Sequence, residues 1–213
     1  LREPYRQGIY GRVLSKCRFL FLAQNKSRFS DTVIAEMRGV SNDNGDSPFW
    51  KWLEDNFFSL DFPTADYLTG IGQKVFIAEL MPKYPVYVNL LSQAAQDVIG
   101  KVHENTAPAL NLLKSEGFSW KGYVDIFDAG PTVEADLSQI RSVQNSELYT
   151  VEIVDQLTGE DYIMLSNLEV ELFRATAVKA QLDETLQTIK ITQEIAEILK
   201  VSAGKQVRAV KLI

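Results

Sequence analysis

The texture of the chain changes near Pro131, and that change limits what it can fold into. Beyond it come short apolar, β-branched runs at 133–140, 148–154, 162–165, 173–178 and 207–212, with QLTGED as a turn between two of them, the pattern of a small β-rich domain. Within 182–199, TLQTIKI reads as a further strand and TQEIAEILKV as a helix capped by Thr192. Ahead of Pro131 the periods alternate. Val13, Leu14, Cys17, Leu20 and Phe21 recur at threes and fours, marking an amphipathic helix over 11–24. TVIAEM at 32–37 reads as a buried strand, and SNDNGDSP as a loop whose Ser47 caps a helix over 48–56 with Pro48 at its first position. VFIAEL at 75–80 reads as a second strand, 87–99 as a helix ending at Gly100, 107–115 as a helix closed by Gly117, and 123–127 as a strand. The order favours an α/β (α+β) fold, a mixed sheet flanked by helices and followed by a small β-rich domain. A boundary near Ser142 divides 1–142 from 143–213.

Composition removes several classes of function. With 46% apolar and 23% charged residues the chain can bury a core, so wholesale disorder is excluded. One Cys forbids an internal disulfide and any thiolate cluster, which suits a reducing compartment and makes the cytoplasm the expected location. No apolar run reaches the roughly 18–20 residues of a spanning helix, and no signal peptide opens the sequence. The net charge of −6 argues against a nucleic-acid binder, although Arg2, Arg6, Arg12, Lys16, Arg18, Lys26 and Arg28 face only Glu3 in the first 28 residues. The sequence begins at Leu1, inside a motif, and reads as a piece of a longer polypeptide.

Four groups of residues could carry chemistry. RQGIYGRVLSK puts a Gly-containing turn at the start of a basic helix, an anion site in principle. It is neither a Walker loop nor GxGxxG, and on the residues alone a solvated basic helix start is the stronger reading. His103 is the sole histidine, in KVHENTAPA, with an unperturbed pKa of about 6.5 that serves proton transfer; on the residues alone a capping or surface role outweighs that. One His and one Cys lack zinc spacing, and Cys17 on the apolar helix face reads as a structural thiol. Glu36, Glu79, Asp125 and Asp128 fall on or at the ends of apolar runs. Arg38 lies two residues past Glu36 on the same strand face, as an internal ion pair or as a separate contact for a zwitterionic ligand.

Together these pieces look like the GNAT superfamily of N-acyltransferases, in which an (R/Q)xxGx(G/A) loop opens a helix onto the CoA pyrophosphate. Arg6-Gln7-Gly8-Ile9-Tyr10-Gly11 fills the first and last positions, with Ile9 in place of the middle Gly and Gly8 beside it. LSKCRFLFLA, VIAEMRGV, SPFWKWLEDNFFSLDF, GQKVFIAELMPKYPVY, LSQAAQDVIGKVHENTAPALNLLKSEGF and YVDIFDAGPTVEADL resemble the arginine N-succinyltransferase family over about 14–137. The tail resembles it more loosely.

That resemblance implies transfer of a succinyl group from succinyl-CoA to the α-amine of arginine, with release of CoA. It implies no permanently bound cofactor, no metal, nucleic acid or membrane partner, and a homo-oligomer or paired subunit. It also implies that the first strands of the sheet precede this chain, leaving an edge that seeks a partner. Arg6, Gly8, Gly11 and Arg12 would hold CoA. The family's proton donor falls on His103; where many GNAT enzymes place a tyrosine, this chain has Trp50 or Leu113, neither of which protonates sulfur usefully. Glu36, or His103 through water, would take the amine's proton. Asp125, Asp128, Glu134 or Asp136 would meet the guanidinium, and Arg38, Lys74 or Arg141 the succinyl carboxylate. The rival readings are an ornithine-preferring relative, another acyl donor, or a non-catalytic subunit.

Overall fold

The computed structural model describes residues 2–3, 7–73 and 75–212. It divides into two compact units, one of Leu1–Val33, Ser115–Gly117 and Ala135–Ile213, the other of Ile34–Lys114 and Phe118–Glu134.

The first unit is built on strands β4 (Glu147–Ile153), β5 (Tyr162–Ser166), β6 (Ala175–Lys179), β7 (Leu182–Asp183), β8 (Thr188–Ile191) and β9 (Gln206–Lys211), in the order β6-β5-β9-β4-β8-β7. β4 runs parallel to β8, and the other pairings are antiparallel. Period-two alternation gives the sheet two apolar faces. Ile163, Leu165, Val207 and Ala209 point to one, covered by Ala196 and Leu199 of α8 (Gln193–Leu199). Met164, Val210 and Leu212 point to the other, where Leu20 of α1 (Tyr10–Gln24) packs with Val13 and Cys17. The helix predicted over 11–24 forms with its apolar stripe inward, except that Leu14 is exposed. Phe21 instead stacks edge-on against Phe173, with ring centroids 5.1 Å apart. Arg208 of β9 fixes the end of α1 by donating from Nε and Nη2 to Gln24 Oε1 at 3.1 and 3.0 Å.

One contact in this unit had no local signal in the sequence. Lys16 of α1 is buried, its Nζ 2.8 Å from Glu116 Oε1. Glu116 Oε2 accepts from the Ser142 N–H at 2.8 Å, where α7 (Arg141–Gln144) begins.

The second unit surrounds Trp50 of α2 (Pro48–Phe57). Ser47 caps α2, its side chain accepting from the Trp50 N–H, as its position before Pro48 predicts. Trp50 stacks on Phe58 and Phe127, with centroids at 5.0 and 5.1 Å, and donates Nε1–H to Leu60 O at 2.8 Å. Further helices are α3 (Phe62–Gly70), α4 (Val75–Leu80), α5 (Gln93–Val98) and α6 (Ala107–Ser115). Gly117 beyond α6 takes φ +100°, the left-handed turn expected there. β1 (Thr32–Glu36), β2 (Ser119–Val124) and β3 (Pro131–Asp136) form a sheet in the order β1-β3-β2. β1 and β3 run past the division between the units.

Four expectations need correction. The run at 75–80 is the helix α4: a six-residue stretch, apolar but for Glu79, is too short for periodicity to separate helix from strand, and Val75 is exposed, whereas a buried strand covers both faces. The helix expected over 87–99 breaks at Leu91, which is extended, and restarts where Ser92 Oγ caps Ala95 N as α5. The strand expected at 123–127 sits at 119–124 instead, because the Asp125 carboxylate accepts from Phe127 N at 2.7 Å and turns the chain. β3 stops at Asp136, whose carboxylate caps a short 3₁₀ turn over 137–139.

Candidate active site

The second unit holds a cleft of about 430 Å³ lined by Glu36, Met37, Arg38, Ser41, Asp125 and Asp128, among others. Two segments make it. Past β1 the chain runs through Met37 to Gly39, and a turn over 125–130 is pressed against it. Met37 N donates to Pro131 O at 3.2 Å, Asp125 N to Gly130 O at 2.8 Å, and Gly100 N to Ala129 O at 2.9 Å. A β-carbon on Gly130 would collide with Met37 O and Gly39 N, so the close approach requires glycine. Asp128 is buried between the segments. Its Oδ2 accepts from Gly39 N at 2.6 Å and its Oδ1 from Gly130 N at 2.9 Å.

Sequence-predicted residues therefore divide. Glu36, the last residue of β1, and Arg38, beyond it, both line the cleft, and Arg38 donates to Ser41 Oγ at 2.8 Å. Asp128 lines the cleft as well, but both oxygens already serve backbone N–H groups, which makes it first a brace of the turn. Asp125 is the freer carboxylate. Burial pushes it up from the usual range, and the charges of Asp128 and Glu36 add to this against the Phe127 and Asp128 N–H bonds. Such a group favours a cationic guest. Glu134 does not line the cleft; β3 turns it to the Lys121 Nζ, 2.8 Å away. Glu79 lies on α4 rather than on a strand. Among the described residues no cluster of His, Cys, Asp and Glu is arranged to hold a metal. Ser41 and Phe127 were not singled out beforehand; only the turn-rich sequence around Ser41 hinted at a loop beside the strand.

His103 is half-buried in the same unit and is not among the cleft-lining residues. Its main-chain N–H donates to Arg38 O at 2.9 Å, and Val102 bridges Gly39 in antiparallel fashion. Its Nδ1 accepts from Asn105 N at 3.2 Å, capping a 3₁₀ turn over 104–106. Trp50 and Leu113 are both core residues.

In the first unit, Gly8 takes φ +61° before the exposed start of α1, where a β-carbon would meet open space. Ile9 supplies no side-chain cap, the first turn carries no acid, and Gly11 and Arg12 within it are exposed. Arg6 and Lys74 lie outside the described residues. Arg141 Nη1 is 3.8 Å from Glu116 and its Nη2 donates to Lys211 O, so it serves the ionic cluster there. Asp136 caps Ser138 through both N–H and Oγ. Burial pushes the Cys17 thiol up, partly offset by Arg18, which disfavours a nucleophilic thiolate.

A family model described as arginine N-succinyltransferase beta subunit matches residues 1–142, and one for the C-terminal domain of that subunit matches 147–211. The chain belongs to the arginine N-succinyltransferase beta subunit family. Arginine N-succinyltransferase subunit beta of Pseudomonas aeruginosa is 46% identical over 212 residues, covering 100% of this chain and 62% of that protein. Arginine N-succinyltransferase of Escherichia coli is 47% identical over 213 residues, covering 100% and 61%. A solved structure, described as arginine/ornithine succinyltransferase subunit AI from Pseudomonas aeruginosa, superposes with a TM-score of 0.88 at 33% identity, covering 100% of this chain and 61% of that one. The chain thus spans about three fifths of the length of these relatives. Among the described residues no helix is long and apolar enough to cross a membrane.

Proposed function

We propose that this chain works in succinyl transfer from succinyl-CoA to the α-amine of arginine, by the direct GNAT-type route without a covalent enzyme intermediate. The observation that carries the reading is the mixed-charge cleft inside the family-matched segment, with Glu36, Asp125 and Arg38 on its walls and His103 bonded through its main chain to Arg38. The two signs suit the two substrates: arginine brings a guanidinium, and the succinyl group brings a free carboxylate.

In this mechanism Glu36 takes the proton of the α-ammonium, and the freed lone pair attacks the thioester carbonyl. The tetrahedral intermediate collapses with cleavage of the C–S bond, its electron pair leaving on sulfur. His103 serves the departing sulfur with hydrogen. Arg38 takes the succinyl carboxylate, Asp125 the guanidinium, and Asp128 holds the turn that carries Asp125. The exposed start of α1, with Gly8, Gly11 and Arg12 and with Arg6 completing the loop motif, receives the CoA diphosphate. The two family matches, at 1–142 and 147–211, support an acyltransferase block over 1–142 and a small C-terminal domain over 143–213 in sequence, with α1 of the block packed on the C-terminal sheet. The location is cytoplasmic.

Purified chain assayed with succinyl-CoA and arginine for release of CoA thiol tests the reading, with ornithine and acetyl-CoA as comparison substrates. His103→Ala lowers kcat by about 10²-fold or more while KM for succinyl-CoA changes little. Equal effects on both, or none, overturn the role of His103. Ornithine is a specific rival acceptor, since the solved relative is described as an arginine/ornithine enzyme. A paired assembly is supported by the word subunit in two relatives' names and by exposed Ile34 and Tyr123 on the outer strands β1 and β2. Sedimentation as a stable monomer overturns it.

A further inference from the structure

Asp125 belongs to two cavities. It lines the mixed-charge cleft with Glu36 and Arg38, and it also lines an apolar cavity of about 300 Å³ together with Phe49, Leu53, Met81, Val86 and Val124. Among the described residues it is the only charged side chain on that second wall. Helical spacing puts Phe49, and Leu53 four residues later, on one side of α2. A further cavity of about 260 Å³ shares both of them along with Val86 and Val124, so the apolar surface continues away from Asp125. A carboxylate thus stands at the border between a charged cleft and an apolar trough.

That carboxylate is half engaged. Oδ1 accepts from Phe127 N at 2.7 Å and from Asp128 N at 3.4 Å, which fixes the side chain, whereas Oδ2 accepts no hydrogen bond among the described residues. Burial, with the charges of Asp128 and Glu36, raises its pKa, a shift that a bound cation reverses. The two organic cations that could end an acceptor's chain make different demands. An ammonium is a compact, strongly hydrated point charge that gives up its water at a cost. A guanidinium is planar and weakly hydrated, and lays its faces on aromatic or apolar surface while its edge pairs with a carboxylate. An apolar wall beside one open carboxylate oxygen favours the second.

We propose that the apolar cavity beside Asp125 is a guanidinium seat, with Oδ2 on the edge of the plane and Phe49 against its face, and that Phe49 makes arginine the preferred acceptor over ornithine. The proposal rests on the reading of the adjoining cleft as the acceptor site. Arginine's chain then leads back from the seat into the cleft that Glu36 lines. Ornithine, shorter and ending in an ammonium, meets the carboxylate only by shedding water against Phe49, Leu53 and Met81.

Calorimetry with propylguanidinium and propylammonium, in the absence of an acyl donor, tests the seat. The guanidinium is expected to bind about tenfold more tightly or better. Asp125→Asn keeps an oxygen for Phe127 N and is expected to abolish binding of both cations. Phe49→Leu keeps the wall apolar but removes the aromatic face, and is expected to weaken the guanidinium about three- to thirtyfold while leaving the ammonium as it was. Val86→Thr sets a hydroxyl into the same wall at nearly constant shape and narrows the preference too, so the test survives if Phe49→Leu unfolds. Equal affinity for the two cations, or equal loss of both in these wall variants, overturns the proposal. If the preference appears but the chain releases no CoA from succinyl-CoA with arginine, the transfer reading fails and the seat stands. Release of CoA with equal use of arginine and ornithine overturns the seat and leaves the transfer reading intact.

Discussion

Replacing Lys16 with Met tests how the first unit is held together. Lys16 and Glu116 have side chains 2% and 0% exposed, and their charges approach to 2.8 Å. Glu116 Oε1 has no hydrogen bond of good geometry and relies on the ammonium's charge, whereas Oε2 is held by Ser142 N. Breaking a buried pair leaves an uncompensated charge and costs about 3–5 kcal/mol. Arg141 stays 3.8 Å away and partly compensates, which puts Lys16→Met near the lower end, about 3 kcal/mol. Adding Glu116→Gln removes the stranded charge and recovers much of this, because the Gln oxygen still accepts from Ser142.

Urea unfolding of the four members of this cycle gives the coupling energy. The pH dependence fixes its origin. In the parent, burial alone would raise the Glu116 pKa, but Lys16 and the Ser142 N–H outweigh it and hold the carboxyl below its ordinary value. A lowered folded pKa contributes stability above the ordinary value of 4.5, lost as pH falls through the folded value. In Lys16→Met burial dominates, the folded pKa rises, and the variant gains stability relative to its own unfolded state as pH falls. The gap between parent and variant must therefore begin to shrink above pH 4.5, where the variant's raised carboxyl protonates, and go on shrinking below it as the parent's lowered carboxyl does. A single variant within about 1 kcal/mol of the parent, or a gap independent of pH, refutes the reasoning.

Gly130→Ala is expected to unfold the second unit or prevent its expression, since the colliding atoms are the backbone of Met37 and Gly39 and no rotamer relieves them; circular dichroism and proteolysis check this. Arg38→Ala should raise KM for succinyl-CoA about tenfold or more, from loss of a charge-assisted hydrogen bond, and should affect acetyl-CoA less. Ser47→Ala removes the cap of α2 and should cost about 1 kcal/mol by urea unfolding.

Local chemistry was legible wherever it acts alone. Ser47 before Pro48 marked the start of α2, Gly117 the end of α6, and the apolar, β-branched runs at 148–154, 162–165 and 207–212 marked the strands β4, β5 and β9. α3 went unseen although its signal was present: Asp61 before Phe62-Pro63 is an N-cap, and its carboxylate accepts from Thr64 N at 2.8 Å. α4 was misread because a short apolar run carries no period, and only its half-exposed setting distinguishes it. In the site, Glu36 and Arg38 were singled out together and both line the cleft, though Arg38 lies past the end of β1. That Asp128 would bind the N–H of a glycine 89 residues away is a matter of tertiary approach, as is the pairing of Glu134 with Lys121. Lys16 is the extreme case. A lysine on an amphipathic helix belongs in water by any local rule, and only Glu116, brought from 100 residues onward, makes its burial possible.

The place of β9 bears on synthesis. Lying between β5 and β4, it is central to the six-stranded sheet and the last of the described strands to leave the ribosome. Until it emerges, β5 and β4 have no common neighbour, and Leu20 of α1 lacks Val210 and Leu212 beneath it. Translation at about 5–20 residues per second separates α1 from β9 by roughly ten to forty seconds, during which the helix has Met164 and Phe173 to pack against but not yet Val210 and Leu212. The order of the strands thus makes closure of this sheet wait for one of its inner members.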